Sequence, residues 1–224
     1  LGAMGVSAAY ANMLQTGLGQ KIDTSLFEAA ITQTYWQSAI AFATGEKPEP
    51  LGSAHPLNAP YQAFLTRDGW INVGAANQSN WLRFLDVINA PELDDDPRFS
   101  SNAQRIQNLP ALVDILNRYL GQDTTENWLR RMEEAHLPAG PVNDILQMHA
   151  DPQARARDMI VELDHPTAGK VETIGHPVKF SRTPAQVNHA APLLGQHTRE
   201  VLAEMGYENA QIEALLRSQA VIAA

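Results

Sequence analysis

The 224 residues carry 25 acidic against 16 basic side chains, a net charge of −9, with 44% hydrophobic residues and no cysteine. That length and apolar content allow a sizeable buried core in one domain or two, while the scattered cations recommend neither nucleic acid nor an anionic membrane as partner. The missing cysteines exclude disulfides, thiolate catalysis and cysteine-ligated metal centres, and no apolar run approaches the roughly 18 residues of a membrane span, so a soluble cytoplasmic protein is expected.

The chain opens at Leu1 rather than at a methionine, inside or just before a helix, which reads as a fragment. "GVSAAYANMLQT" is small, apolar and free of proline, and suits a helix stopped by Gly17 in a left-handed cap. Gly17-Leu18-Gly19 resembles a phosphate loop only in composition. Such a loop runs strand, glycines, helix, whereas here a helix precedes the glycines and places its carbonyl end beside them. "QKIDTS" then reads as a short extended segment. Ser25 with Glu28 fits a capping box, opening a helix of about five turns that runs to Gly45.

"GEKPEPLGSAHPLNAPYQ" holds four prolines and two glycines, too many breaks for a regular element, and marks a long loop or domain boundary. Tyr61–Phe64 and Trp70–Val73 alternate around Asp68-Gly69, the pattern of a hairpin. Trp81, Leu82, Phe84, Leu85 and Ile88 predict one buried face of a following helix. From Pro91 to His149 the text is helical: Asp123 and Glu126 form a second capping-box pattern ahead of the stripe Trp128, Leu129 and Met132, "LPAGPV" stops that helix, and "NDILQMH" starts another. "MIVELDH" and "KVETIG" predict a second hairpin, and the last 28 residues two helices split at Gly206. No internal repeat or low-complexity tract is present.

Chemistry is sparse in this pattern. The seven histidines share no metal-ligand spacing, so no metal is expected. Asp94-Asp95-Asp96 lacks the alternating oxygens and turn glycine of a calcium loop and reads as a solvated helix boundary. Ser25, Ser53 and Ser181 lack the flanking glycines of a nucleophile elbow. His165, His176 and His197 read as turns or helix starts. His55 stands apart because a titratable ring shares the loop Gly52-Ser53-Ala54-His55-Pro56 with a flexible backbone, although a structural turn remains the plainer reading.

Seven blocks, taken together and in order, resemble the family III coenzyme A transferases, which include formyl-CoA transferase, carnitine CoA-transferase and alpha-methylacyl-CoA racemase. They are "TGLGQ" with "IDTSLFEA", "HPLNAPYQAFLTRDGWINVGAANQSNW", "DPRFSSNAQRIQN", "LPAGPVNDI", "DPQARARDM", "HPTAGKVETIGHPVKFSRTP" and "APLLGQHTREVLAEMGY". The resemblance implies an α/β fold: a helix-rich C-terminal portion made of a small α+β domain, about residues 51–150, plus pieces of a Rossmann-like large domain at 1–50 and 151–224. It implies a homodimer of interlocked subunits, an acyl-CoA and a carboxylate acceptor as substrates, and no covalently bound cofactor.

The same resemblance implies CoA transfer through an aspartyl-CoA thioester. The family's nucleophilic aspartate precedes the helix that ends at Thr-Gly-x-Gly-Gln. Counting back from Thr16 reaches Leu1 before any aspartate, and the first in the chain is Asp23, so the nucleophile is expected upstream and no catalytic residue within these residues. Gly52, Ser53, Ala54 and His55 match the family's glycine-rich loop over the active site, departing from its run of glycines. Two other readings stand beside the transferase: a racemase-like isomerase, which needs an acid/base pair, and a non-catalytic dimerising or binding fragment.

Overall fold

A computed structural model describes residues 1–224, which divide into two compact units, Leu1–Gly140 and Pro141–Ala224. The first unit begins with α1 (Gly2–Thr16), which Gly17 ends at φ 75° by donating its N–H to the Met13 carbonyl at 2.8 Å. The left-handed backbone there costs a glycine nothing. Residues 20–25 pair with no strand, contrary to the extended segment read there. A lone strand has no neighbour to take its backbone groups, and these stay exposed to water.

The capping box predicted for Ser25 and Glu28 forms in full and starts α2 (Leu26–Gln33). The predicted five-turn helix is broken once, at Thr34, where α3 (Tyr35–Thr44) begins. Thr34 sits at φ −90°, ψ 9°, and its hydroxyl bonds the Ile31 carbonyl at 2.8 Å. That bond competes with the helical ladder, as threonine hydroxyls do.

The predicted first hairpin is β1 (Tyr61–Leu65) and β2 (Trp70–Gly74), antiparallel with Phe64 opposite Ile71 and Gln62 opposite Val73. Those four side chains share the buried face. A third strand, β3 (Ala139–Pro141), completes the order β1-β2-β3 at the end of this unit, where only a helix stop was expected. Its approach is fixed by the Gly74 N–H donating to the Pro138 carbonyl at 2.9 Å.

Behind the sheet lie α4 (Gln78–Ile88), α5 (Asn102–Gln107), α6 (Leu109–Leu120) and α7 (Thr125–Glu134). In α4 the buried set is Trp81, Phe84, Leu85 and Ile88, spaced i, i+3, i+4, i+7. Leu82 does not join it: one residue on from Trp81 it has turned about 100° round the helix and is 39% exposed. Leu112, Leu116 and Leu120 repeat every four residues along α6 and are fully buried. Trp128 and Met132 of α7 meet them in one core, with the Trp128 indole N–H held by the Leu120 carbonyl at 2.7 Å.

The second predicted capping box lies one residue out of register. Thr124, extended at ψ 155°, is the N-cap, and its hydroxyl accepts from the Asn127 N–H. Asp123 instead accepts from the Thr124 N–H and the Asn127 amide, both at 2.8 Å.

In the second unit Asp144 caps α8 (Ile145–Ala150), and Asp151 caps α9 (Pro152–Ala156). The second hairpin forms as β4 (Ile160–His165) and β5 (Gly169–Ile174), and the two last helices are α10 (Thr198–Glu204) and α11 (Asn209–Arg217), separated at Gly206. No helix is long and apolar enough to cross a membrane.

Candidate functional site

The loop singled out by sequence enters through Gly52, whose φ of 60° only glycine adopts without strain. Two bonds clasp its next residues to β1. The Ser53 hydroxyl accepts from the Ala63 N–H at 3.1 Å, and the His55 N–H donates to the Tyr61 carbonyl at 3.0 Å. Ala54 bonds back to the Leu51 carbonyl at 3.0 Å. Gly52, Ser53, Ala54 and His55 are thus ordered on the sheet edge.

The His55 ring is held on three sides. Its Nδ1 accepts from the Leu57 N–H at 3.0 Å and lies 3.2 Å from the Asn58 side-chain nitrogen. The ring meets Trp36 of α3 and Tyr61 of β1 edge to face, each with centroids 5.3 Å apart. A mostly apolar groove of about 330 Å³, lined by Tyr35, Trp36, Ala39, Ile40, Ala43 and Leu57, runs beside it.

The turn that carries the loop is pinned from behind by α5. Asn102 accepts the Ala59 N–H at 2.9 Å and donates to the Leu57 carbonyl at 2.9 Å. Arg105, fully buried, donates to the Ala59, Phe99 and Ala76 carbonyls at 2.7, 3.0 and 2.8 Å and to the Gln78 amide oxygen at 3.2 Å. Its guanidinium also lies 4.9 Å over the Trp81 ring. Burial pushes its pKa below the ordinary arginine value, yet the group stays a cation whose charge is met by carbonyl dipoles and a π face instead of a carboxylate. These two residues went unassigned in the sequence. The Ser101 cap that starts their helix is legible, but nothing local says that an arginine four residues on points inward.

The other candidates stay apart from this loop. Ser25 is a cap, and His165 accepts the Thr167 and Ala168 N–H groups in the turn between β4 and β5. His197 pairs with Glu200 at 3.0 Å at the start of α10. His176 and Ser181 are exposed beyond β5. In the acidic run, Asp96 is bound by Arg98 at 2.7 Å, which holds its carboxyl below the usual range. No three His, Asp or Glu side chains gather as a metal-binding group, and Gly17 and Gly19 sit at a helix end in open space.

Known proteins share this architecture. The sequence pattern of CoA-transferase family III matches residues 1–198. The succinyl-CoA:glutarate CoA-transferase of Mus musculus is 35% identical over 222 residues, covering 97% of this chain and 51% of that protein. The Homo sapiens succinyl-CoA:glutarate CoA-transferase is 32% identical over 217 residues, with 96% and 50% covered. The crystal structure of a CAIB/BAIF family protein from Brucella suis superposes with a TM-score of 0.76 at 30% identity, over 90% of this chain and 52% of that one. The chain therefore spans about half the length of the curated relatives it matches.

Proposed function

Because the chain belongs to CoA-transferase family III, we propose that it serves an acyl-CoA:carboxylate CoA-transferase acting on dicarboxylic acids. The observation that carries this is the match in register over residues 1–198; the named substrates of the relatives, succinyl-CoA and glutarate, support the dicarboxylate class.

The proposed route passes through a carboxylate nucleophile, an aspartate that the family resemblance at Thr16 to Gln20 implies N-terminal to Leu1. Its oxygen attacks the thioester carbonyl and CoA leaves as thiolate, giving a mixed anhydride. The thiolate then attacks the aspartyl carbonyl, releasing the first acid and leaving an aspartyl-CoA thioester. The acceptor carboxylate takes the same two steps in reverse. Splitting one displacement into acyl exchanges of similar difficulty is what lets a weak nucleophile suffice.

Gly52, Ser53, Ala54 and His55 cover the reacting thioester in this reading. Water kept from an activated acyl group cannot hydrolyse it. The clasp to β1 and the pins from Asn102 and Arg105 support a loop held in place rather than a free flap. Residues 51–150 form the small domain, residues 1–50 and 151–224 belong to the large one, and two copies make the working cytoplasmic homodimer.

The test is CoA exchange between succinyl-CoA and glutarate, run with this 224-residue chain and with the full-length gene product. Exchange is expected only from the latter. Exchange by the chain alone overturns the placement of the nucleophile, and a full-length product inert towards every dicarboxylate overturns the transferase reading.

A further inference from the structure

The His55 ring has one polar atom that the fold leaves unused. The backbone N–H of Leu57 can only donate, so Nδ1 must accept, and the neutral ring carries its proton on Nε2. Nε2 makes no hydrogen bond within the protein, while the ring around it is half-buried and clamped by Trp36 and Tyr61. We propose that this Nε2–H binds the free, non-reacting carboxylate of the dicarboxylic substrate, making His55 a specificity-determining residue. The inference rests on the transferase reading given above.

Three features of the geometry favour a binding donor over a proton-transfer group. The Nδ1 lone pair is occupied by the Leu57 N–H and the Nε2 position by its own proton, so the neutral ring has no free lone pair to act as a base. The donor is also positioned in advance. The loop is clasped to β1 at Ser53 and His55, and its following turn is held by Asn102 and Arg105, so little freedom is lost when a ligand arrives. Finally, Arg105, the cation nearest this turn in the bonding network, is buried with its donors committed to Ala59, Ala76, Gln78 and Phe99. A neutral N–H facing an anionic oxygen forms a charge-assisted bond without bringing a second buried charge into the site.

Two isosteric substitutions in the full-length gene product separate this role from a structural one. His55→Asn keeps an acceptor where Nδ1 stood and removes the donor. His55→Gln places an amide N–H near the former Nε2 and removes the acceptor for Leu57. Each is assayed with glutarate and with pentanoate, an acid of equal length lacking the second carboxylate. His55→Asn is expected to lower kcat/KM for glutarate about 10- to 100-fold more than for pentanoate, mostly through KM; His55→Gln is expected to retain most of the preference.

A turn-holding role gives the opposite order, with Asn tolerated and Gln damaging to both acids alike. That order, an equal loss on both acids with Asn, or a wild-type preference in His55→Asn overturns the inference and leaves the transferase reading intact. A wild-type protein that transfers CoA to neither acid, nor to any other carboxylate, removes the reading and the inference together. Nitrogen-15 NMR of labelled histidine in the wild type gives an independent check, since a His55 ring protonated at Nδ1 overturns the assignment of the donor.

Discussion

Residues 2–44 and residues 59–137 are both rich in helix, yet only the second stretch builds a core. In α1 to α3 the helices are started by the Ser25 cap and stopped by left-handed glycines at 17 and 45, and Ala9 alone is buried. Leu26, Phe27 and Phe42 stand 92%, 75% and 89% exposed. From Ala59 to Leu137, by contrast, eighteen apolar residues form one buried cluster. Local hydrogen bonds are enough to write a helix into a sequence, whereas its stability in water comes from the face it buries. Within this chain α1 to α3 leave most of their apolar side chains in water.

That contrast can be broken most forcefully at Arg105. Arg105→Ala strands the buried carbonyls of Ala59 and Phe99, removes a partner from the half-buried Ala76 carbonyl, and is expected to cost more than about 3 kcal/mol in urea unfolding of this chain. Next comes a matched pair of truncations. Leu116→Ala in the core should cost about 2–5 kcal/mol. Phe42→Ala, which removes more side chain from an exposed site, should stay within about 0.5 kcal/mol. Equal costs would mean that the two stretches do not differ as described.

Smaller still is the cap. Ser25→Ala should weaken α2 by about 1 kcal/mol, visible as faster amide exchange at Ala29 and its neighbours, with the global unfolding midpoint unmoved. The smallest effect is pH-dependent. The backbone N–H of Thr125, then the Thr125 and Thr66 hydroxyls, hold the Asp68 carboxyl below its ordinary value. A depressed carboxylate lends stability above the unfolded value of about 4 and loses it as pH falls through the folded one. The stability gap between wild type and Asp68→Asn should therefore be widest near neutral pH and close under acid, which paired denaturation curves would show.

Much of this was legible beforehand where a signal is local. Ser25 with Glu28, Gly17, and Gly69, which bonds back to Thr66, each satisfy backbone groups within a few residues, so their meaning does not depend on the rest of the chain. The failures have a common cause in longer reach or finer balance. Thr34 divides a helix through a hydroxyl that competes with the ladder, and Thr124 outcompetes Asp123 for the cap by one residue of register. Residues 20–25 needed a partner strand that no sequence pattern can promise. At the candidate site the loop 52–55 was singled out from composition and resemblance, but its supports were not. Trp36 lies 19 residues before His55 and Arg105 lies 46 after Ala59, and only the fold brings them together.

The edge-to-face contact between Trp36 and His55 has an optical consequence. Two of the four indoles, Trp81 and Trp128, are sealed in the core and report its integrity, while Trp36 and Trp70 are about half exposed. Of that exposed pair, only Trp36 touches the loop. Its emission is a built-in gauge of where His55 stands, so loop displacement or ligand arrival becomes a fluorescence change that needs no attached dye and can be followed apart from unfolding.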